Sequence, residues 1–384
     1  MSTLKVDAIR HNSATSDAIT TASDGTCTAK LTSVGGAGLS HRNIIINGAM
    51  NVAQYGTSAS NTGGTSARSV DRFFAGNPSA TAVQTASQEV DGPAEFYNSL
   101  KVTCTTALAS YGTSAQSKIE YRIEGTDLAH VQLGTSNAQT LSVSFYVKSN
   151  KTGNSAIGLI NQNNDRSFVH QYTIASPNTW QRVSFKVVGD TTGTWNKDTS
   201  VGMRMRWGTF GTDYQTGTFD AWQAGQKMAT SNSPINFNSA TGDYIQITGV
   251  QVELGDTVTS FEHRSISEEL TRCQRYYHRQ SSEHQYMRYD CSGQCPSANG
   301  AQFVFSLPVK MRANPTIGYS QLSDFYIYAS NLQAKTPTNI TLSAGSTKSP
   351  MLSFEKSGTF SAGTAAHLTV PNSNQGYIEF KAEL

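Results

Sequence analysis

With 29 Lys and Arg against 27 Asp and Glu, this 384-residue chain carries a formal charge of only +2, and charged residues make up 15% of it. Disorder usually needs fewer apolar residues and a larger net charge, a soluble helical protein more Glu, Lys and Arg, and a nucleic-acid binder a basic excess or stripe. What remains is a β-rich chain whose polarity comes from Ser, Thr, Asn, Gln and 32 Gly, residues that suit the solvent face of sheets and their turns. No run of about 18 apolar residues marks a membrane span, and residues 1–10 lack an apolar signal core. The five cysteines, Cys27, Cys104, Cys273, Cys291 and Cys295, are odd in number and do not suggest a disulfide framework, so folding in a reducing cytoplasm is expected.

At roughly 100–200 residues per domain, the length suits two sizeable domains and a small appendage. In residues 1–40, Leu4, Val6 and Ala8 alternate with Lys5 and Asp7, and Asp24-Gly25 sits between Thr/Ala-rich stretches, which predicts a short strand and then a tight hairpin. So few large apolar side chains cannot support a core, so this segment needs another copy of the chain or a docking surface. Residues 32–40, with Gly35, Gly36 and Gly38, read as a flexible link.

From residue 43 to about 261 the pattern has period two. Ile119, Tyr121 and Ile123 alternate with Lys118, Glu120, Arg122 and Glu124, which predicts one dry and one charged face. Leu141, Val143, Phe145 and Val147, then Val183, Phe185 and Val187, then Val201, Met203, Met205 and Trp207 repeat the alternation between turn-rich clusters. Many such strands indicate an antiparallel sandwich. Ile245 and Ile247 keep one phase, Val250, Val252 and Leu254 the other, and Gly249 at the change predicts a bulge.

Ser265 and Glu268 have capping-box spacing, and Ile266, Leu270, Cys273 and Tyr277 form an apolar stripe, so a helix is expected over 265–280. It reads either as a connector packed on its neighbouring sheet or as a stripe brought together by three copies. Strands resume after it. Phe303, Phe305 and Leu307 share a face, and Phe325, Ile327 and Ala329 alternate with Tyr326 and Tyr328. Ile378, Phe380, Ala382 and Leu384 are expected inward, with Glu379, Lys381 and Glu383 outward.

Catalytic motifs such as HExxH, GxSxG, the Walker loop and GxGxxG before a helix are absent, and no acidic cluster points to a glycosidase pair. Trp195, Tyr214 and Trp222 lie in turn-rich stretches, where exposed rings could stack on sugars or simply pack. Arg204 and Arg206 are expected outward, where they could bond an acidic saccharide or stay solvated. Trp180 and Trp207 read as packing residues. His278, His284, Cys291 and Cys295 have zinc-ligand chemistry without the spacing of a zinc module, so free thiols and no metal are expected. Asn161, Asn163, Asn164 and Asp165 could hold calcium but lack EF-hand spacing, and a simple Asn-rich turn is the plainer reading. No cofactor is expected.

Five strings occur in order: RNIIINGAM at 42–50, SVDRF at 69–73, TGVQVELG at 248–255, FEHR at 261–264 and EELTRCQRYY at 268–277. Together with STLKVDAIR at 2–10 and residues 16–31, they resemble tail-fibre and other virion surface proteins of tailed bacteriophages, particularly those of cyanobacterial hosts. LPVKMRANP at 307–315 and FKAEL at 380–384 are similar to the distal β domain that often ends such chains. The resemblance implies an all-β chain: an attachment segment (1–40), a jelly-roll β-sandwich similar to carbohydrate-binding modules (41–264), a connector helix (265–280) and a smaller C-terminal β-sandwich (281–384). It implies a non-enzymatic, homotrimeric receptor-binding protein of the virion, made in the host cytoplasm. Residues 1–40 would dock on tail or adaptor proteins, and the β domains would bind host cell-surface polysaccharide, with no nucleic acid and no membrane insertion. The resemblance itself assigns no ligand residue; on the residue reading above, glycan contacts would fall to Trp195, Tyr214, Trp222, Arg204 and Arg206. The alternatives are a purely structural head-decoration, collar or adaptor protein, and a polysaccharide-cleaving or deacetylating spike.

Overall fold

The structure, a computed structural model, describes residues 41–62, 66–76, 83–329, 334–371 and 375–384, and, before these, 6–10, 12–13, 15, 17–23, 27–29, 33–34 and 37–38. In the N-terminal segment Ala8–Ile9 pairs antiparallel with Ile19–Thr21, which pairs in turn with Cys27–Ala29. The hairpin turn expected at Asp24-Gly25 lies outside the described residues. Among the described residues, no helix is long and apolar enough to cross a membrane.

The first domain is a jelly-roll sandwich of two antiparallel sheets. One runs, in spatial order, Gln181–Val187, Leu141–Ser149, Tyr244–Leu254, Ser99–Thr106, Val83–Glu89 and Ser58–Thr62. The other runs Trp222–Ala224, Arg166–Ile174, Gly153–Asn161, Val201–Phe210, Gln116–Glu124, Phe73–Gly76 and Ser66–Ala67. The period-two apolar residues meet between them: Phe145 packs edge-on to Trp207 at 5.6 Å, with Met205, Leu159 and Val250 buried around them. Gly249 makes the expected bulge. Ser144 and Tyr146 face Gln251 and Thr248, so the Tyr244–Leu254 strand carries one extra residue there, with Gly249 at φ 61°. That conformation favours glycine.

The charged outer face of Gln116–Glu124 is not open to water, contrary to the alternation. Glu120 and Glu124 are buried. The segment 211–235 folds across this face and buries Met228 and Ala229 on Ile160 and Phe210. Gly158 permits the approach, because a Cβ there would stand 2.7 Å from the Met228 Cα. Glu120 is bonded by Arg206 at 2.5 Å and by Lys118 at 3.2 Å. Burial pushes its carboxyl up, but Arg206, Lys118 and Arg122 outweigh that and hold it at about 2.

The helix spans Ile266–Gln274, and the Ser265 hydroxyl accepts the Glu268 amide at 3.3 Å. Glu268 does not reach back to complete the capping box; its carboxylate takes Arg272 at 2.9 Å. Cys273 and Tyr276 pack on Ile46 and Val52, so the stripe closes against its own chain, while Ile266 is 58% exposed.

The second domain is a smaller β-sandwich. Tyr277–Ser281, Tyr377–Lys381 and Thr316–Tyr319 form one sheet. Tyr326–Tyr328, Thr364–Thr369, Cys291–Ser297, Gly300–Phe305, Met351–Glu355 and Asn339–Ala344 form the other. Phe303, Phe305, Phe325, Phe354 and Phe380 fill the space between them. Glu379 and Glu383, expected outward, point into the junction with the first domain. Tyr277 donates to Glu379 at 2.5 Å; Glu383 takes Arg72 at 2.5 Å and Tyr55 at 3.2 Å.

Candidate functional site

The strings that carry the family resemblance converge on that junction. Arg264 donates to the Ile45 carbonyl at 3.1 Å and pairs with Glu269 at 3.2 Å, while Glu269 accepts the Asn47 amide at 2.7 Å. The Arg72 guanidinium lies 3.5 Å over the Tyr276 ring, and Tyr55 stacks on Tyr277 with centroids 3.6 Å apart. Buried backbone groups need such partners, and a buried cation needs its anion. These residues hold the two domains and the helix together, and beside them an open cleft of about 430 Å³ is lined by Asn43, Ile46, Asp127, His130, Arg275 and Tyr276, with a carboxylate among its groups.

The five residues expected to contact glycan do not form one exposed surface. Trp195 is 8% exposed, and its indole donates to the Thr192 carbonyl at 3.2 Å and to Asp190 at 3.3 Å; a sugar has no access to its face. Trp222 meets Trp195 edge-on at 5.2 Å, is half-buried, and donates to the Val188 carbonyl at 2.6 Å. Tyr214 is half-buried in the segment that crosses the sheet, next to Phe210. Arg206 is buried on Glu120, and Arg204 donates to the carbonyls of Asn161 and Gln162 at 3.1 and 2.8 Å. Outward projection was the right direction for both arginines, but covered polar surface replaces the solvent expected there. Trp180, by contrast, is no core residue. It lies half-buried outside the apolar core, with its indole on Asp91 at 3.3 Å and Lys148 above its ring at 5.2 Å.

Asn161 to Asp165 makes an Asn turn. The buried Asn161 carboxamide accepts the amides of Asp165 and Arg166, both at 3.1 Å, and donates to Asp165 at 2.6 Å. Of the residues compared with zinc ligands, His278 lies against Phe380 and burial pushes its imidazole down to about 4, Cys295 sits in the second core, and His284 is exposed. Cys104, Cys273, Cys291 and Cys295 are free thiols, and burial pushes Cys291 up to about 12. Among the described residues no group of three His, Cys, Asp or Glu is placed to hold a metal ion.

An open cleft of about 300 Å³ lies on the second domain, lined by Tyr286, Arg288, Tyr328, His367 and Thr369. Strand alternation builds it. Tyr326, Ile327 and Tyr328 face Thr369, Leu368 and His367 across one ladder. On the other side Arg288 bridges to Thr369, with the Tyr289 amide on the Leu368 carbonyl and the Val370 amide on the Met287 carbonyl, both at 3.0 Å. Arg288 and Thr369 are therefore a non-hydrogen-bonded pair, the kind whose side chains stand closest. The alternate residues Tyr289, Leu368 and Ile327 enter the core, where Tyr289 and Phe325 rings lie 5.9 Å apart. A packed layer thus backs the cleft floor. Tyr286, at φ 59° and 62% exposed, lines the cleft together with Tyr328.

The arrangement joins two phenol rings, a guanidinium, an imidazole and a hydroxyl in a shallow open trough, without a carboxylate among its lining residues. Rings of this kind offer flat apolar faces with polar tips, and the other groups supply directional hydrogen bonds.

No protein-family model and no curated protein matches the chain. Among solved structures it is similar to the enzymatically active domain of tailspike protein 4 of Bacteriophage CBA120, at 12% identity and a TM-score of 0.29, over 56% of this chain and 21% of that one. It is also similar to the family 11 carbohydrate-binding module of the cellulase Lic26A-Cel5E of Clostridium thermocellum, at 12% identity and TM-score 0.24, over 56% of this chain and 96% of that one. A third is TmCBM61, solved in complex with β-1,4-galactotriose, at 8% identity and TM-score 0.26, over 56% and 99% of the two chains.

Tyr286 and Arg288 escaped the sequence reading because they stand in a stretch joined to its neighbour by a single bridge, with no run of alternation. The available signal was Tyr326 and Tyr328, two aromatics on the polar phase of an otherwise buried strand.

Proposed function

We propose that this chain is a non-enzymatic receptor-binding protein of a phage virion that holds host-envelope glycan in the Tyr286–Tyr328 cleft. The observation that carries the reading is that cleft: two aromatic rings and three hydrogen-bonding side chains lining one trough on a β-ladder. Such a trough suits the apolar face and equatorial hydroxyls of a pyranose. The order of the five strings supports the virion assignment, with residues 1–40 as the attachment segment. A homotrimer would present three clefts, and weak single-site contacts would then add as avidity.

The test is adsorption of full-length protein to purified envelope polysaccharide of a susceptible host, comparing wild type with Tyr286→Ala and Tyr328→Ala. Removing a ring that anchors a ligand costs about 1–2 kcal/mol, or roughly 5–30-fold in affinity. Unchanged adsorption in both variants sinks the cleft assignment. Failure of the wild type to adsorb favours the structural-protein alternative, and release of fragments or acetate favours the spike enzyme.

A further inference from the structure

The geometry points to an anionic saccharide, one bearing a carboxylate or sulfate group, as the ligand of the Tyr286–Tyr328 cleft; the inference rests on the glycan-binding reading above. It begins from how this chain treats its arginines. Arg166, Arg206 and Arg275 are closed on Asp190, Glu120 and Glu124 at 2.6, 2.5 and 2.7 Å. Arg288 is different: its side chain is exposed, and among the described residues no carboxylate, carbonyl or aromatic face partners its guanidinium. Its backbone position is fixed by the bridge to Thr369, and it lines the cleft with Tyr286 and Tyr328.

The cleft therefore has a positive group and no negative one in its lining. A neutral sugar offers that cation only uncharged hydroxyl and ring oxygens, whereas a carboxylate or sulfate can take two charge-assisted N–H bonds from the guanidinium plane. Stacking on Tyr286 and Tyr328 would orient the ring, and the charge pair would select which sugars are retained. The planar carboxylate and the tetrahedral sulfate can each present a pair of anionic oxygens to arginine, so the charge is what the two share and the experiment separates them.

The experiment titrates full-length protein at low salt with four oligosaccharides of matched length. These are an oligogalacturonate, a sulfated galactan, the same galactan after desulfation, and a neutral gluco-oligosaccharide. The expected result is tighter binding of at least one anionic ligand by about tenfold, the scale of one charge-assisted contact. Arg288→Gln should remove that preference, Arg288→Lys should restore only part of it, and added salt should weaken the anionic arm selectively. Whichever anionic arm responds identifies the group. Equal binding of neutral and anionic sugars, or a preference that survives Arg288→Gln, overturns the inference while leaving glycan binding intact. No binding of either anionic sugar overturns it too. The glycan reading falls with it only if the neutral sugars and the host polysaccharide also fail to bind.

Discussion

Arg72 is the strongest single test of how the two domains are joined. Its guanidinium bonds Glu383 at 2.5 Å and the Arg122 carbonyl at 2.7 Å, and lies 3.5 Å over Tyr276. Burial pushes the Glu383 carboxyl up, but Arg72 and Arg68, with hydrogen bonds from Tyr55 and Arg72, bring it below its ordinary value. Arg72→Met keeps most of the apolar stem but leaves Glu383 buried with only Arg68, at 3.4 Å, as a cation. Stranding one member of a buried pair costs about 3–5 kcal/mol, a large share of a typical ~5–15 kcal/mol stability. Adding Glu383→Gln removes the orphaned charge, so the double variant should lose less than the sum of the singles by about 1.5–3 kcal/mol.

The assay is denaturant unfolding with one probe per domain. All four tryptophans, Trp180, Trp195, Trp207 and Trp222, lie in the first domain, and Cys295 is buried in the second core. Tryptophan fluorescence and mapped labelling of Cys295 should coincide in the wild type. In Arg72→Met the Cys295 transition should move to lower denaturant ahead of the fluorescence change. A loss under about 1 kcal/mol with both probes still coincident would refute the argument, and so would strict additivity in the double variant.

Two further outcomes follow from the same interior. Burial pushes Asp71 up to about 7, partly offset by hydrogen bonds from Gln54. Because the folded value exceeds the unfolded one near 3.9, the folded state binds the proton more tightly, so this group lowers stability as pH rises from about 4 to about 7, by up to about 4 kcal/mol. The difference in melting temperature between wild type and Asp71→Asn should therefore change across that window; a pH-independent difference would dismiss it. His278, held near 4, has the opposite dependence below about 6.5, but it is common to both proteins and cancels. At the bulge, Gly249→Ala forces a side chain into φ 61° with its Cβ 2.7 Å from the Phe96 ring and 2.9 Å from Tyr146. It should cost at least about 1–2 kcal/mol and lower the melting temperature by several degrees, and an unchanged melt would remove the bulge argument.

Most of the fold could be read from local pattern. The phases of Ile119 to Ile123 and Val201 to Trp207, the bulge at Gly249 and the Ser265 cap each depend on neighbours a few residues away, and the structure has all of them. What escaped the sequence depends on distant chain. Glu120 reads as solvent-facing until Arg206 and the segment around Met228 cover it, and Glu383 reads as outward until it meets Arg72, 311 residues earlier. The same limit governed the aromatics. Composition locates Trp195 and Trp222 in turns, but only the folded chain shows that they pack on each other. The Tyr286–Tyr328 cleft likewise joins strands whose adjacency no local period encodes.

Locating a bound sugar tests the central claim most directly. Crystals of the full-length protein grown with an oligosaccharide from the host envelope should show the sugar between Tyr286 and Tyr328, with Arg288 and His367 within hydrogen-bonding distance. Sugar found instead on the first domain beside Trp180 and Lys148, with the cleft empty at saturating ligand, would contradict the account.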